Sequence, residues 1–63
     1  MNVNYAEKAG NYVIANARYY ERGIPPTGGH YGVSYKGRGL VSDDIAELVQ
    51  KLQARMEAEE GNQ

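Results

Sequence analysis

The sequence predicts a small α+β domain of the form α-β-β-α, in which two amphipathic helices enclose a short β-hairpin. Three observations predict this fold: a three-and-four-residue apolar period near each end of the chain, one stretch of strict alternation, and a single loop rich in glycine and proline. The 63 residues include no cysteine and one histidine, which excludes disulfides and a structural zinc site. We expect residues 1–58 to form one small domain and residues 59–63 to form a disordered acidic tail.

The first element is predicted to be a helix near residues 4–22. Asn2 or Asn4 is suited to cap its first turn, and Gly23 followed by two prolines ends it. Its apolar stripe comprises Val3, Ala6, Gly10, Val13, Ala17, Tyr20 and Ile24. A strand remains an alternative for residues 12–20, because tyrosine, valine and isoleucine favour extended structure. The fold would then be a three-stranded antiparallel sheet with one C-terminal helix.

The clearest strand signal lies in residues 31–41. Larger side chains alternate with small or polar ones from Tyr31 to Lys36, which predicts a face of two rings and a valine. The pair Lys36-Gly37 suits a two-residue turn, after which the chain returns through Val41 as a second strand. This hairpin must lie against a helix, because two isolated strands are marginally stable in water.

The second helix is predicted over residues 43–58. Ser42 or Asp43 is suited to cap it, and Glu47 and Lys51 form an i, i+4 pair on its flank. Its apolar stripe comprises Ile45, Leu48, Val49, Leu52 and Met56.

The charge of the chain is distributed unevenly. Residues 18–42 carry four cations and one carboxylate, a net charge of +3, whereas residues 43–63 carry six carboxylates and two cations, a net charge of −4. The total of −1 is far from the basic balance of a general nucleic-acid binder. No apolar run reaches the ~20 residues that span a bilayer, and the N-terminus has no basic segment followed by an apolar one. We therefore expect a cytoplasmic protein with no membrane partner.

The sequence contains no set of residues that predicts catalysis. His30 is the only histidine, and no neighbour is identifiable that would share a reacting atom with it. The carboxylates of Asp43, Asp44 and Glu47 are explained by their place at a helix start and lack the spacing of a calcium loop. We expect no enzyme activity, no cofactor, no metal and no small-molecule substrate.

The residue types favour a protein-binding module that acts as an inhibitor, adaptor or accessory subunit. The chain has a small core and six tyrosines, and neither a disulfide nor a zinc site stabilises it. Such a composition is typical of a chain that buries the rest of its apolar surface on a partner or in a homodimer. A viral-type regulator is an example of this class. Tyrosine and arginine are enriched where protein surfaces meet. The expected contact residues are Tyr12, Arg18, Tyr19, Tyr20 and Arg22.

A second hypothesis is a small nucleic-acid-binding protein. The run Lys36-Gly37-Arg38-Gly39 places two cations on a slim hairpin tip, and neighbouring rings are suited to stack on unpaired bases. The residues expected to carry this function are Tyr31, Tyr35, Lys36 and Arg38. Because a solvated turn also uses such charges to protect a sheet edge, this hypothesis comes second to protein binding.

Overall fold

The computed structural model of the protein describes residues 3–61, which form two helices and a three-stranded antiparallel sheet. In chain order the elements are α1 (Tyr5–Asn16), β1 (Arg18–Ile24), β2 (Gly29–Tyr35), β3 (Arg38–Ser42) and α2 (Ile45–Glu60). The sheet has the order β1-β2-β3, and both helices pack on one of its faces and against each other. The predicted α+β class is confirmed: the N-terminal helix of one alternative is present, and so is a third strand, although it spans Arg18–Ile24 rather than residues 12–20.

Helix α1 begins where the sequence predicts. The side chain of Asn4 caps it by accepting a hydrogen bond of 3.0 Å from the backbone N–H of Glu7. The other candidate cap, Asn2, lies outside the described residues. An asparagine at this position stabilises a helix because it satisfies a first-turn donor that has no partner within the helix.

The same helix ends earlier than predicted, at Asn16 rather than near residue 22. The side-chain amide of Asn16 donates a hydrogen bond to the carbonyl oxygen of Tyr12, and Ala17 is already extended. The prediction of helix beyond this point is wrong, because the chain from Arg18 onward pairs with β2. Pairing satisfies the strand preference of two adjacent tyrosines, and no single-sequence period reports the presence of a partner strand.

The face that α1 buries also differs from the predicted stripe. Ala9 and Val13 are buried, and the rings of Tyr5 and Tyr12 pack partly against the core. Val3, which was expected on the buried stripe, is half exposed. The buried positions still have helical spacing, but the buried face includes the large tyrosine rings instead of the predicted small side chains. These rings cover more apolar area than small side chains do.

Strands β1 and β2 pair with a large bulge. Tyr19 stands opposite Tyr31 and Ile24 stands opposite Gly29, so the four intervening residues of β1 face a single residue of β2, His30. Extra residues in one strand leave backbone groups unpaired and bend that strand away from the regular ladder. The bulge therefore shapes the exposed edge of the sheet.

The loop between β1 and β2 is closed by glycine. The backbone N–H of Gly28 donates to the carbonyl oxygen of Ile24 over 2.8 Å, and the peptide bond between Pro25 and Pro26 is cis. Gly23 has a φ of +77°, and a Cβ atom there would lie 2.4 Å from the carbonyl oxygen of Gly28. Only glycine fits that position without moving the backbone.

The hairpin between β2 and β3 matches the prediction. Tyr35 pairs with Arg38, and the two residues between them, Lys36 and Gly37, have φ values of 50° and 80°. Positive φ at both positions is typical of the tight turn whose twist matches that of the flanking strands. The alternation is confirmed as well, because Tyr35 and Val33 are buried under the helices.

Helix α2 is the predicted second helix with a longer C-terminus. Asp44 caps it by accepting a hydrogen bond of 2.9 Å from the backbone N–H of Ala46. Its buried side chains are Leu48, Leu52 and Met56. The predicted pair is present, with Lys51 Nζ 3.7 Å from Glu47 Oε1.

The expected acidic tail begins later than predicted. Glu59 and Glu60 belong to α2, and Gly61 follows as its C-terminal cap. Both glutamates, which were expected in a disordered tail, form side-chain contacts here, Glu59 with Arg55 and Glu60 with Lys8. The last two residues of the predicted tail lie outside the described part of the chain. From residue 3 to residue 61, no helix has the length and apolar character needed to cross a membrane.

Candidate protein-binding surface

The most exposed aromatic residues lie together on strand β1. Tyr19 is 61% exposed and Tyr20 is 44% exposed, and Arg18, Glu21 and Arg22 beside them are exposed too. We call these five consecutive residues the β1 surface. β1 is an edge strand, so its outer side has no strand neighbour in the sheet. Four of the five residues predicted for protein contact, all except Tyr12, are therefore brought together here.

Tyr12 has a role inside the fold instead. Its hydroxyl donates a hydrogen bond of 2.6 Å to the carbonyl oxygen of Ser34, and its ring meets the ring of Tyr35 edge-on, with centroids 5.3 Å apart. Ser34 pairs with Gly39 on β3, but it lies beyond the position at which β1 begins. The Tyr12 hydroxyl therefore takes the place of a missing strand partner, and Tyr12 lies apart from the other four residues predicted for protein contact.

His30 fills the bulge next to the β1 surface. Its ring nitrogen Nδ1 lies 2.9 Å from the carbonyl oxygen of Tyr20. A carbonyl oxygen only accepts, so Nδ1 carries the proton in this hydrogen bond. The backbone N–H of His30 donates to Asp43 Oδ1 over 3.0 Å, and Nε2 lies 3.9 Å from the same oxygen. These contacts explain the histidine as a structural residue that holds β1 in its bulged course.

Three rings form a cluster on the margin of the β1 surface. Tyr19 stacks on His30 with ring centroids 5.8 Å apart and meets Tyr31 edge-on at 5.2 Å. One side of the Tyr19 ring is thus held by its neighbours while most of its area faces solvent. A ring held in this way loses little conformational freedom when a partner covers it.

The face of the sheet away from the helices contains a cleft of 280 Å³. We call it the sheet cleft. Its lining includes Arg18, Tyr20, Ile24, Gly32, Gly39 and Val41. A Cβ atom on Gly32 would lie 2.7 Å from Ile24 Cδ1 and 3.5 Å from Tyr20 Cε1, so these two side chains lean over that glycine. A Cβ atom on Gly39 would meet nothing within 4 Å. Gly39 thus leaves the floor of the cleft open, whereas Gly32 is covered by the two side chains, and the cleft adjoins the β1 surface.

The cations of the protein divide into two groups. All three lysines and Arg55 lie within 4 Å of carboxylates of α2, in the pairs Lys8–Glu60, Lys36–Glu60, Lys51–Glu47 and Arg55–Glu59. The other three arginines, Arg18, Arg22 and Arg38, form no salt bridge within residues 3–61, and all three lie on the edge strands β1 and β3. The unpaired positive charge is therefore on the sheet, and the carboxylates that bind the other cations are on α2.

One buried tyrosine connects the sheet to the end of α2. The hydroxyl of Tyr35 donates a hydrogen bond to Glu60, whose other oxygen accepts a hydrogen bond of 2.5 Å from Lys8 Nζ. The hydrogen bond to Glu60, together with burial, raises the pKa of Tyr35 from 10.0 to about 12. Hydrogen bonds from Lys8 and Tyr35 lower the pKa of Glu60 below its ordinary value of 4.5. This network closes the fold and leaves Tyr35 unable to stack on a base.

The other residues predicted for nucleic-acid contact differ in their exposure and in their ion pairs. Lys36 Nζ lies 3.8 Å from Glu60 Oε2 and 5.4 Å from the centre of the Tyr35 ring, so its charge is already engaged. Tyr31 is half buried within the ring cluster described above. Only Arg38 of the predicted four is both exposed and free of an ion pair within the described chain.

Sequence patterns did not reveal the sheet cleft. Its floor depends on register, since Gly32 stands opposite Arg18 on one side and Val41 on the other. The signal in the sequence was Gly32 and Gly39, which lie within strands where no positive φ is needed. A glycine inside a strand often marks a place where another group approaches the sheet closely. In the sequence, Gly32 is explained as one of the small residues that alternate with larger ones in the predicted strand, and this alternation does not report a cleft.

Two further grooves are less suited to a partner. One, of 390 Å³, lies between β3 and α2 and is lined by Leu40, Lys51 and Arg55, among others, but both of its cations are already paired. The other, of 200 Å³, lies beside Asp43 and Glu47. Among the residues of the described chain, no group of three or more histidines or carboxylates is placed to hold a metal ion.

Comparison with known proteins adds no functional information. The chain matches no protein family, no curated protein and no solved structure.

Proposed function

We propose that this protein is a non-catalytic module that binds another protein through the β1 surface and the adjoining sheet cleft, and so acts as an adaptor, inhibitor or accessory subunit. The observation that carries the proposal is the exposure of two consecutive tyrosines on an edge strand, with Tyr20 over the sheet cleft and Tyr19 on the other side of the strand against Tyr31. Rings of this kind bury a large apolar area on binding and keep a hydroxyl for hydrogen bonding. Together with unpaired arginines they form the composition of an interaction hot spot.

The use of the remaining tyrosines supports this assignment. Tyr5, Tyr12 and Tyr35 pack against or within the core, and Tyr31 is half buried. The fold has therefore placed its other rings in contact with the core and has left the two on β1 most available to a partner. Exposed tyrosines next to arginines without ion pairs have the composition typical of a contact site.

The bulge in β1 determines how a partner would be held. A flat edge strand recruits other strands through its backbone, whereas a bulge bends the edge away and limits such pairing. We therefore infer that side chains of the β1 surface, more than backbone hydrogen bonds, carry the interaction. The proposal also keeps the cytoplasmic location expected from the sequence.

Nucleic acid remains the second candidate, and the fold weakens it. Of the residues expected to contact it, Tyr35 is buried and Lys36 is paired with Glu60, which leaves too few free groups at the hairpin tip for a backbone-tracking surface. Three arginines without ion pairs in the described chain still favour an anionic partner. The sheet cleft favours a partner that also has an apolar group to bury.

A random-peptide library selected on the immobilised protein tests the proposal. We expect peptides that bind the wild type and lose at least about tenfold in affinity to the double variant Tyr19→Ser/Tyr20→Ser. Ile14→Ser is the matched control, because Ile14 is 83% exposed on α1, away from the β1 surface. No selected peptides, or equal loss in the Ile14→Ser variant, would refute binding at this site.

Sedimentation equilibrium of the free protein distinguishes self-association from binding to a different protein. A dimer that dissociates in the Tyr19→Ser/Tyr20→Ser variant would assign the β1 surface to a second copy of the chain. A folded monomer at tens of micromolar assigns it to a different protein.

A further inference from the structure

The sheet cleft indicates which class of partner the β1 surface binds. Resting on the proposed function, we propose that the sheet cleft seats an aliphatic side chain of an acidic peptide segment, and that Arg18 binds a carboxylate beside that side chain. The partner is thus an acidic protein segment with an apolar anchor residue.

The floor of the cleft supplies the space for an anchor. Neither Gly32 nor Gly39 is among the positive-φ residues, so the backbone does not require glycine at either position. Gly39 has open space where a Cβ atom would stand. A glycine in a strand weakens the strand and packs nothing, so an empty position on an otherwise covered sheet is a place that another molecule can fill.

The walls of the cleft determine the chemistry of the anchor. Ile24 and Val41 contribute aliphatic surface, and Tyr20 contributes the side of a ring. Such walls gain free energy from a buried leucine or valine, of the order of 1.5–3 kcal/mol for a fully buried side chain, and offer little to a sugar or a phosphate. The walls therefore favour a peptide over a nucleic acid.

Charge complementarity determines the chemistry around the anchor. Arg18 lines the cleft and has no ion pair within the described chain, and Arg22 follows on the same strand, whereas Arg38 stands opposite Tyr35 and so belongs to the helix-covered face of the sheet. An unpaired guanidinium binds a carboxylate with two parallel hydrogen bonds. The helix α2 packs on the opposite face of the sheet, and its cations Lys51 and Arg55 are already paired with its own carboxylates. An acidic peptide is thus directed to the cleft.

Fluorescence anisotropy with short labelled peptides tests this inference at low ionic strength. The probe is an acetylated pentapeptide with leucine at its centre and two glutamates on each side. Its matched controls are the same peptide with serine at the centre and the same peptide with lysines in place of the glutamates. We expect the leucine–glutamate peptide to bind at least about tenfold more tightly than either control.

The variant that decides the matter is Gly39→Val, which fills the cleft from its floor. A Cβ atom there meets no neighbour within 4 Å, so the variant should fold with an unchanged or higher melting temperature. We expect it to lower the affinity for the leucine–glutamate peptide at least about tenfold, and Arg18→Ala to lower it severalfold. Gly10→Ala on α1 should leave the affinity unchanged.

The outcomes separate this inference from the proposed function. Equal binding of the leucine and serine peptides, or tighter binding of a decathymidylate that Arg18→Ala abolishes, would overturn the acidic-peptide assignment. If the library selection yields Tyr19- and Tyr20-dependent peptides that are neither acidic nor aliphatic, the proposed function stands and this inference fails. If no peptide is selected at all, the proposed function itself fails.

Discussion

The ring of His30 donates a hydrogen bond of 2.9 Å to the main-chain carbonyl oxygen of Tyr20. This contact joins the only histidine of the chain to the strand that carries the two most exposed tyrosines. Because the bulge removes backbone groups of β1 from the regular ladder, a side chain of β2 takes over one of the lost hydrogen bonds. The shape of the candidate binding surface therefore depends on a residue outside it.

Replacing His30 should loosen β1 without unfolding the protein. We expect His30→Ala to lower the free energy of unfolding by about 1 kcal/mol, the usual contribution of one hydrogen bond, and to speed amide hydrogen exchange at residues 20–23. Urea unfolding and exchange mass spectrometry measure the two effects. Unchanged exchange in β1 would show that the bulge is held by other contacts.

The Tyr35 hydroxyl should ionise far above its ordinary pH. Its pKa is raised from 10.0 to about 12, so the neutral phenol stabilises the fold fully below pH 10.0 and loses that contribution as the pH rises toward 12. The difference in phenolate absorbance between the wild type and Tyr35→Phe isolates this ring. A midpoint near 10.0 in that difference curve would contradict the hydrogen bond to Glu60.

Acid should destabilise the protein partly through Glu60. Its pKa is lowered below 4.5 in the folded state, so the carboxylate stabilises the fold above pH 4.5, and this contribution is lost as the pH falls through the lower folded value. We expect the free energy of unfolding of Glu60→Gln to fall less steeply below pH 4.5 than that of the wild type. Glu21→Gln is the control, because Glu21 forms no salt bridge within residues 3–61. The same acid slope in wild type and Glu60→Gln would exclude this role.

Two glycines should respond in opposite directions to the same substitution. Gly10 lies within α1 with open space around its missing side chain, so Gly10→Ala should stabilise the protein by up to about 1 kcal/mol. Gly23 has a positive φ, and a Cβ atom there would lie 2.4 Å from the Gly28 carbonyl oxygen, so Gly23→Ala should destabilise the protein. Thermal unfolding monitored by circular dichroism compares the two variants. A loss of stability in Gly10→Ala would show that the outer face of α1 is packed.

The hydroxyl of Tyr12 offers a matched test of the fold. Tyr12→Phe keeps the ring against Tyr35 and removes the hydrogen bond to the Ser34 carbonyl oxygen. We expect a loss of about 0.5–1.5 kcal/mol in urea unfolding and no change in peptide affinity, because Tyr12 lies outside the β1 surface. A large loss of peptide affinity with an intact fold would show that Tyr12 contacts the partner.

Local patterns predicted several elements well. The period of α2, the cap Asn4 and the turn at Lys36-Gly37 each depend on residues close together in sequence, and the structure contains all three. The charge division between residues 18–42 and the C-terminal segment was also readable, since it requires only counting. Such features follow from local geometry, which a sequence carries in full.

The first half of the chain shows where local patterns fail. Residues 18–24 have helical spacing and strand-forming side chains at once, and only the presence of β2 as a partner selects the strand. Local patterns also fail at Glu60, because its contacts with Lys8 and Tyr35 come from distant parts of the chain.

By itself the sequence determined the α+β class, the second helix, the tight turn and the tyrosine and arginine composition of β1. Only the tertiary structure decided that Tyr12 and Tyr35 pack with the core, that Tyr19 and Tyr20 are both exposed, and that Gly39 lies on the open floor of a cleft. The physical reason is that exposure and cavity shape depend on strand register and on which faces the helices cover, and both are set by contacts between residues far apart in the chain.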